Sequence, residues 1–374
     1  VLDRLLAAVV ALAAALAVVG MVVLWPDAPD RPATGQPPLV PGRVVEVAPA
    51  EGGLVAVRVE ALGGDVAGQV LELDAPGEWF PALSVGDRVE LVRLMLPGEG
   101  DVWSIADFSR RASLVWLGVL FVGAVLLVGG WQGLRALGGL AVSLWVVFGF
   151  VLPAVLAGAS PPLVALIGGT AVVLGTLFLT HGAGRMTLAA ATGTLGALVL
   201  TVTIGVVVLD ATRITGFASE DAVYAGYALG GLDLQGLVLA GLIVGALGVL
   251  DDVAVAQAST VAALHEADPR QSVATLVSRA MRVGRDHIAS VVNTLVLAYA
   301  GASMGLLVLF SISSLPAVEI VTNELVATEI VRTIVGSLGL IAAVPLTTLV
   351  AATVLVGGRR PDGPGADVAA PAAG

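Results

Sequence analysis

The chain of 374 residues contains no cysteine. Disulfide scaffolds, thiolate zinc sites and cysteine nucleophiles are therefore excluded. Lysine is absent too, so all 18 basic residues are arginine. That rules out Schiff-base chemistry and a P-loop lysine. Nothing functional requires the lack of lysine, which reads as a base-composition bias of the genome. No Walker motif or soluble nucleotide domain is visible, which argues against ATP-driven transport within this chain. Charge of either sign is scarce, at 13% of residues, against about 25% in a soluble domain. The remainder is 57% hydrophobic, with mean hydropathy +0.98. A chain of this composition would expose far too much apolar surface to water, so a polytopic membrane protein is expected.

The net charge of −11 is unevenly placed. Residues 27–111 hold 14 Asp and Glu against 7 Arg. The acidity thus belongs mainly to one polar segment, which argues against nucleic acid as a partner.

Residues 5–24 form an apolar run of 20, with Arg4 before it and Trp25-Pro26 after it. A cleaved signal peptide has an apolar core of about 7–15 residues followed by a small-residue site. The longer run, with no clean site behind it, reads as an uncleaved anchor over 1–25. A Pro-rich linker occupies 26–41, and a small polar domain follows over 42–108. There "GLVAVRVEAL" puts Val55, Val57 and Val59 on one face and Ala56, Arg58 and Glu60 on the other. "VLELD" and "VGDRVELVRLML" repeat this period of two, so several short strands are expected, in a barrel or sandwich of the OB or SH3-like kind.

From residue 109 to 357 the chain reads as membrane, and 358–374 as a disordered tail. Spans are expected near 114–130, 137–157, 161–180, 187–209, 236–258, 288–310 and 330–356. With the anchor, the expected fold is predominantly α: a polytopic helical membrane bundle of about eight spans, carrying a small β-rich extracytoplasmic domain. Arg4, Arg135, Arg185, Arg279, Arg282, Arg285, Arg359 and Arg360 all fall on one side. By the positive-inside rule that side is the cytoplasm. Both termini are then cytoplasmic, residues 26–113 are extracytoplasmic, and the location is the plasma membrane.

Within this apolar chain the stretch "GALGVLDDVAVAQAS" places Asp251 and Asp252 side by side. A helix over residues 236–264 would be about 43 Å long, against a hydrocarbon core of about 30 Å. The aspartates would lie about 23 Å from its start, inside the core, where a charge costs about 2.5–3.5 kcal/mol even on lenient scales. Asp252, Ser259 and Glu266 recur at steps of seven on one face, and Asp251, Ala258 and His265 on the next. Gly241 and Gly245 form a small-xxx-small pattern that permits close helix approach. The two carboxylates repel, so one would stay protonated or the two would share a cation. A bound metal, if there is one, would sit at Asp251 and Asp252.

Further polar groups cluster in later spans. Arg285, Asp286 and His287 stand at the cytoplasmic mouth of one span, with Ser290, Asn293 and Tyr299 beyond them. The last span opens with Asn323, Glu324, Glu329 and Arg332, and contains Pro345. Glu329 with Arg332, and Arg285 with Asp286, are as readily structural clamps as functional groups. "THGAGRMT" over residues 180–187 could form a phosphate nest, but a tight turn with an orientation-setting arginine is the simpler reading.

Three stretches carry a family resemblance: "GALGVLDDVAVAQASTVAAL", "VGRDHIASVVNTLVLAYAG" and "NELVATEIVRTIVGSLGLIAAVPLTTLVAA". They resemble the YibE/F family of bacterial multi-pass membrane proteins, and so does the order of anchor, β-rich segment and bundle. The family pattern has an apolar residue before Asp-Val-Ala, so Asp252 matches the family aspartate and Asp251 departs from it. Gly284, Arg285, Asp286, Asn293, Thr294, Tyr299, Glu329, Pro345 and Thr347 match other motif positions. The resemblance implies a transporter-like membrane protein and assigns no substrate.

Three functions compete. The first is a secondary transporter or ion-coupled permease, with the bilayer and a small solute or ion as its partners and no cofactor beyond a coupling proton or cation. Asp251 and Asp252 would bind that ion, and Asp286, Asn293, Tyr299, Glu324 and Glu329 would line the path. The second is a scaffold or sensor whose extracytoplasmic β-domain binds a protein partner. The least favoured is an intramembrane aspartyl hydrolase. Its two aspartates would have to converge, whereas adjacent ones point about 100° apart on a helix.

Overall fold

The computed structural model describes residues 2–26, 38–49, 54–76, 83–96, 100–218 and 220–357. The tail 358–374, with Arg359 and Arg360, and most of the Pro-rich linker lie outside the described residues. The chain divides into two compact units, Asp30–Gly133 and Val1–Pro29 with Leu134–Gly374.

The first unit contains β1 (Val40–Pro49), β2 (Leu54–Ala61), β3 (Val70–Pro76), β4 (Arg88–Leu96) and β5 (Gly100–Phe108). They form one antiparallel sheet in the order β3-β2-β1-β4-β5. The expected alternation explains it: Val57 and Val59 are buried, while Arg58 points out and pairs with Glu46 at 2.9 Å and Glu72 at 3.4 Å. Val44, Val89, Leu91 and Ile105 complete the core. Register shifts at Val44/Glu46 and Glu90/Leu91 add local twist, and the edge strands β3 and β5 approach each other. The result is a single curled sheet with the first strand at its centre, not the two-sheet sandwich that the sequence also allowed.

A long helix follows, α2 (Arg111–Val146), then a π-type turn at Val147–Val151 and α3 (Leu152–Leu156). The expected spans 114–130 and 137–157 fall on the two limbs of this run. It is broken at Gly130, whose φ of 52° and ψ of −129° are not helical. A side chain there would be strained, and glycine permits the sharp bend. The apolar residues Leu114, Trp116, Leu117, Leu120 and Leu127 before the break are all exposed.

The second unit contains α1 (Leu2–Val23), α4 (Pro161–His181), α5 (Arg185–Thr212), α6 (Glu220–Leu229), α7 (Leu234–Ala267), α8 (Val273–Ala302), α9 (Met304–Ser311), α10 (Ala317–Thr322) and α11 (Glu324–Gly357). Asp233 caps α7 by accepting from the Gly236 N–H at 2.8 Å, and Ser272 caps α8 through Thr275. One expectation needs correction. The expected straight span 288–310 is bent by 66° between α8 and α9. Gly301, Ser303 and Gly305 crowd that break, and such residues give a helix little to hold it straight.

Among the described residues, six helices are long and apolar enough to cross a membrane, or seven if α8 and α9 form one span. An eighth requires the two limbs of α2 to be counted separately. Several threonines inside these helices satisfy their hydroxyls on the carbonyl four residues back, as Thr194 does on Ala190 and Thr201 on Ala197. That spares them a bare polar group in an apolar setting.

At the centre α5 packs antiparallel against α11, and both pack on α7. Two reciprocal contacts set the α5–α11 distance. Gly193 receives Thr347, and Gly339 receives Thr201; a Cβ on either glycine would collide with the threonine opposite. The ends of the unit are tied as well. Asp3 and Arg185 pair at 3.0 Å, which brings the starts of α1 and α5 together. At the far end, Gln235 donates to the Ile214 carbonyl at 2.8 Å.

Candidate functional site

The apolar run of α7 carries Asp251 and Asp252 to the wall of an open cleft of ≈ 550 Å³. α4 contributes Thr176, Thr180 and His181, α8 contributes His287, and the limb of α2 after the break contributes Ala136 and Gly139. Gly139 lies against Thr176 and Thr180, which a Cβ there would meet at ordinary contact distance. His181 closes α4 just before the turn to Arg185, so the cleft lies toward the end of the unit where Asp3 and Arg185 meet.

The two aspartates are not equivalent. Asp251 is half-buried, and its Oδ2 accepts a hydrogen bond from the Thr176 hydroxyl at 3.2 Å. Its Oδ1 is buried and has no partner among the described residues. Asp252 is more exposed and faces the cleft that His287 also lines. No ion pair reaches either carboxylate among the described residues. A buried, unpaired carboxylate oxygen is stabilised by a proton or a cation. Among the described residues no three His, Asp or Glu side chains are grouped closely enough to hold a metal ion. A proton fits this arrangement, and so does a hard cation that completes its shell with hydroxyl and carbonyl oxygens.

A second polar cluster lies further along the same face of α7. Gly241, Gly245 and Asp252 share that face, and Asp252 stands about 10 Å beyond Gly245. A Cβ on Gly245 would lie 3.0 Å from the Tyr299 hydroxyl, and one on Gly241 would lie 4.0 Å from the Arg332 guanidinium. The small-xxx-small pattern thus receives polar side chains from α8 and α11, not a bare helix backbone. Arg332 donates to Glu329 at 2.6 Å, while its Nε is buried without a partner among the described residues. Tyr299 and Glu329 also line a smaller cavity of ≈ 300 Å³ between α8, α9 and α11, with Ser303 and Thr333. Between the two clusters Gly248 leaves open space, with nothing within 4 Å of where its Cβ would be.

The remaining sequence candidates lie elsewhere. Ser259 makes a weak contact with the Met186 sulfur at 3.7 Å, and Glu266 is exposed near the end of α7. Arg285 and Asp286 are exposed on α8, with no ion pair between them among the described residues. Asn293 is exposed on α8 and makes no side-chain hydrogen bond among the described residues. Glu324 is engaged far from the cleft. It accepts from the backbone N–H groups of Thr215 and Gly216, each at 2.7 Å, and from the Thr215 hydroxyl at 2.9 Å. It ties the start of α11 to the segment after α5.

Sequence reasoning missed Thr176, Thr180 and His181 as cleft residues, and it missed Gln257 altogether. Gln257 is buried between α7, α8 and α11, donating to the Ala280 carbonyl at 3.1 Å and to the Thr348 hydroxyl at 2.7 Å. Its signal was present: it is the one uncharged amide in the run after the aspartates.

The family model described as YibE/F-like protein matches residues 117–357. That is more than half of the chain, so the chain belongs to the YibE/F-like family, as the three motif stretches implied. The match covers the cleft and leaves the sheet outside it. No curated protein and no solved structure matches the chain. Together with the apolar helices, the family makes this a membrane protein.

Proposed function

We propose that this member of the YibE/F-like family is a secondary transporter or ion-coupled permease whose coupling ion, a proton or a hard cation, binds at Asp251 and Asp252. The carrying observation is the Asp251 carboxylate, with one oxygen on Thr176 and the other buried and unpaired. Asp252, His181 and His287 line the same cleft, so carboxylate and imidazole groups stand together there, as in a proton relay. Tyr299, Arg332 and Glu329 form a second station against the same face of α7, and nothing stands within 4 Å of the Cβ position of Gly248 between them. The broken α8–α9 pair gives the bundle the kind of discontinuous helix on which transporter sites are built.

In this reading the protein spans the plasma membrane with both termini in the cytoplasm. The cleft then opens toward the cytoplasm, as the arginines on that side require. The test is flux in proteoliposomes that hold a pH-sensitive dye, under an imposed proton or cation gradient. Wild type should dissipate the gradient, and Asp252→Asn should lose that activity while inserting normally. Equal flux in both would remove the aspartates from the mechanism.

The scaffold or sensor reading draws on one observation: the sheet belongs to a compact unit of its own, outside the family match. It is separated from transport by deleting residues 42–108, which abolishes a sensor's output and spares a permease's flux.

A further inference from the structure

The outer face of the sheet, where it meets the start of α2, holds a cleft of ≈ 770 Å³. Arg88, Glu90, Ser109, Arg111, Val115 and Trp116 line it. Val89 and Leu91 are fully buried in the sheet's core, so Arg88 and Glu90 between and beside them point outward. Neither Arg88 nor Arg111 has an ion pair among the described residues, although Arg110 next to them is held by Asp107 at 2.5 Å.

The register adds an independent observation. Arg43 of β1 stands directly opposite Arg88 of β4. Like charges directly opposed across an antiparallel pair repel, and a sheet keeps such a pair at a cost unless an anion sits between them. Glu60 lies opposite Arg43 on the other side but makes no ion pair with it among the described residues. Among the described residues, the cleft therefore presents two guanidinium groups without an ion pair, flanked by a third, with one carboxylate, Glu90, at its edge.

Depth identifies the anion. Arg111 begins α2, and from Leu114 onward that helix is apolar with its side chains exposed, as a lipid-facing segment is. If residues from 114 enter the hydrocarbon, Arg111 and Trp116 lie at the headgroup level, where tryptophan and arginine anchor spans. Phosphate is the anion abundant there, and guanidinium groups grip it through paired N–H donors.

We propose that this cleft binds the phosphodiester headgroup of a bilayer lipid, with Arg88 and Arg111 on the phosphate, Val115 and Trp116 against the glycerol and upper chain, and Glu90 placed for an ammonium such as that of phosphoethanolamine. The site is independent of the transport reading, since none of its residues belongs to the Asp251 cleft.

The test is native mass spectrometry of the detergent-solubilised full chain, titrated with phosphatidylethanolamine, phosphatidylglycerol, diacylglycerol and inorganic phosphate. Wild type should retain the phospholipids about tenfold more than an Arg88→Gln/Arg111→Gln double variant, for the loss of two charge-assisted contacts. Diacylglycerol should not be retained, and millimolar phosphate should not displace the lipid. Glu90→Gln should reduce the preference for phosphatidylethanolamine over phosphatidylglycerol. Arg58→Gln, on a residue already paired with Glu46 and Glu72, should change nothing. If the double variant does not fold, the two single variants, each with an intermediate loss, carry the test. Equal retention by wild type and the charge variants would overturn the proposal, and so would displacement by inorganic phosphate, which would mark a free-anion site.

Discussion

The hydroxyl of Tyr299 rests against α7 where Gly245 has no side chain, at 3.0 Å from where a Cβ would stand. Adding that carbon forces the tyrosine to move by a few tenths of an ångström, and a larger side chain expels it. Gly245→Val should therefore abolish flux with little loss of expression. Gly248 is the matched contrast. Its Cβ position is open, so Gly248→Ala should behave as wild type, and Gly248→Leu should fold normally yet obstruct the path. Flux and melting temperature measured together on the three variants check this. Normal flux in Gly248→Leu would show that no ion passes between the two clusters.

The reciprocal pairs Gly193–Thr347 and Gly339–Thr201 should govern stability, not transport. Gly339→Ala overpacks the α5–α11 contact and should cost about 1–3 kcal/mol in a detergent unfolding assay. Removing the opposing hydroxyl and methyl with Thr201→Ala should recover most of that loss in the double variant. Additive losses would mean that the two residues are not in contact.

In the sheet unit, Arg110 donates to Asp107 and holds its carboxyl below the ordinary value of 3.8, with the Phe108 N–H adding to the effect at 2.8 Å. A depressed carboxyl pKa contributes stability that is present above the ordinary value and lost as pH falls through the lowered one. Arg110→Gln should shift the Asp107 titration upward toward 3.8, a change visible in its carboxyl infrared band. Both groups are exposed, so the shift should shrink as salt is added and neutral-pH stability should not change measurably. An Asp107 titration unmoved by the substitution would contradict the pairing.

Much of the helical architecture was legible because bilayer-length apolar runs have few other uses. The strands of the small domain were legible from the strict alternation at Val55, Val57 and Val59. Its sheet order was not, since alternation shows which face is buried but not which strand is central. The break at Ser303 was hidden because α9 is as apolar as the span it interrupts. For the site, Asp251 and Asp252 stood out as charges within an apolar run. Thr176 and His181 did not: a threonine in an apolar helix reads as self-satisfied, and a histidine beside Gly182 reads as part of a turn. Only the packing of α4 on α7 turns them toward the aspartates. Glu324 misled for the opposite reason, because its charge signals ion handling while its oxygens are occupied by Thr215 and Gly216.

The measurement that bears most directly on the central claim is thermal stability in detergent across pH and a panel of monovalent and divalent cations. It compares wild type with an Asp251→Asn/Asp252→Asn double variant. Binding confined to the folded state raises the melting temperature as ligand concentration rises. One ion, or the proton, should stabilise wild type and leave the double variant unmoved. If both proteins respond identically to every ion and every pH, no ion binds at Asp251 and Asp252, and the transporter reading loses its site.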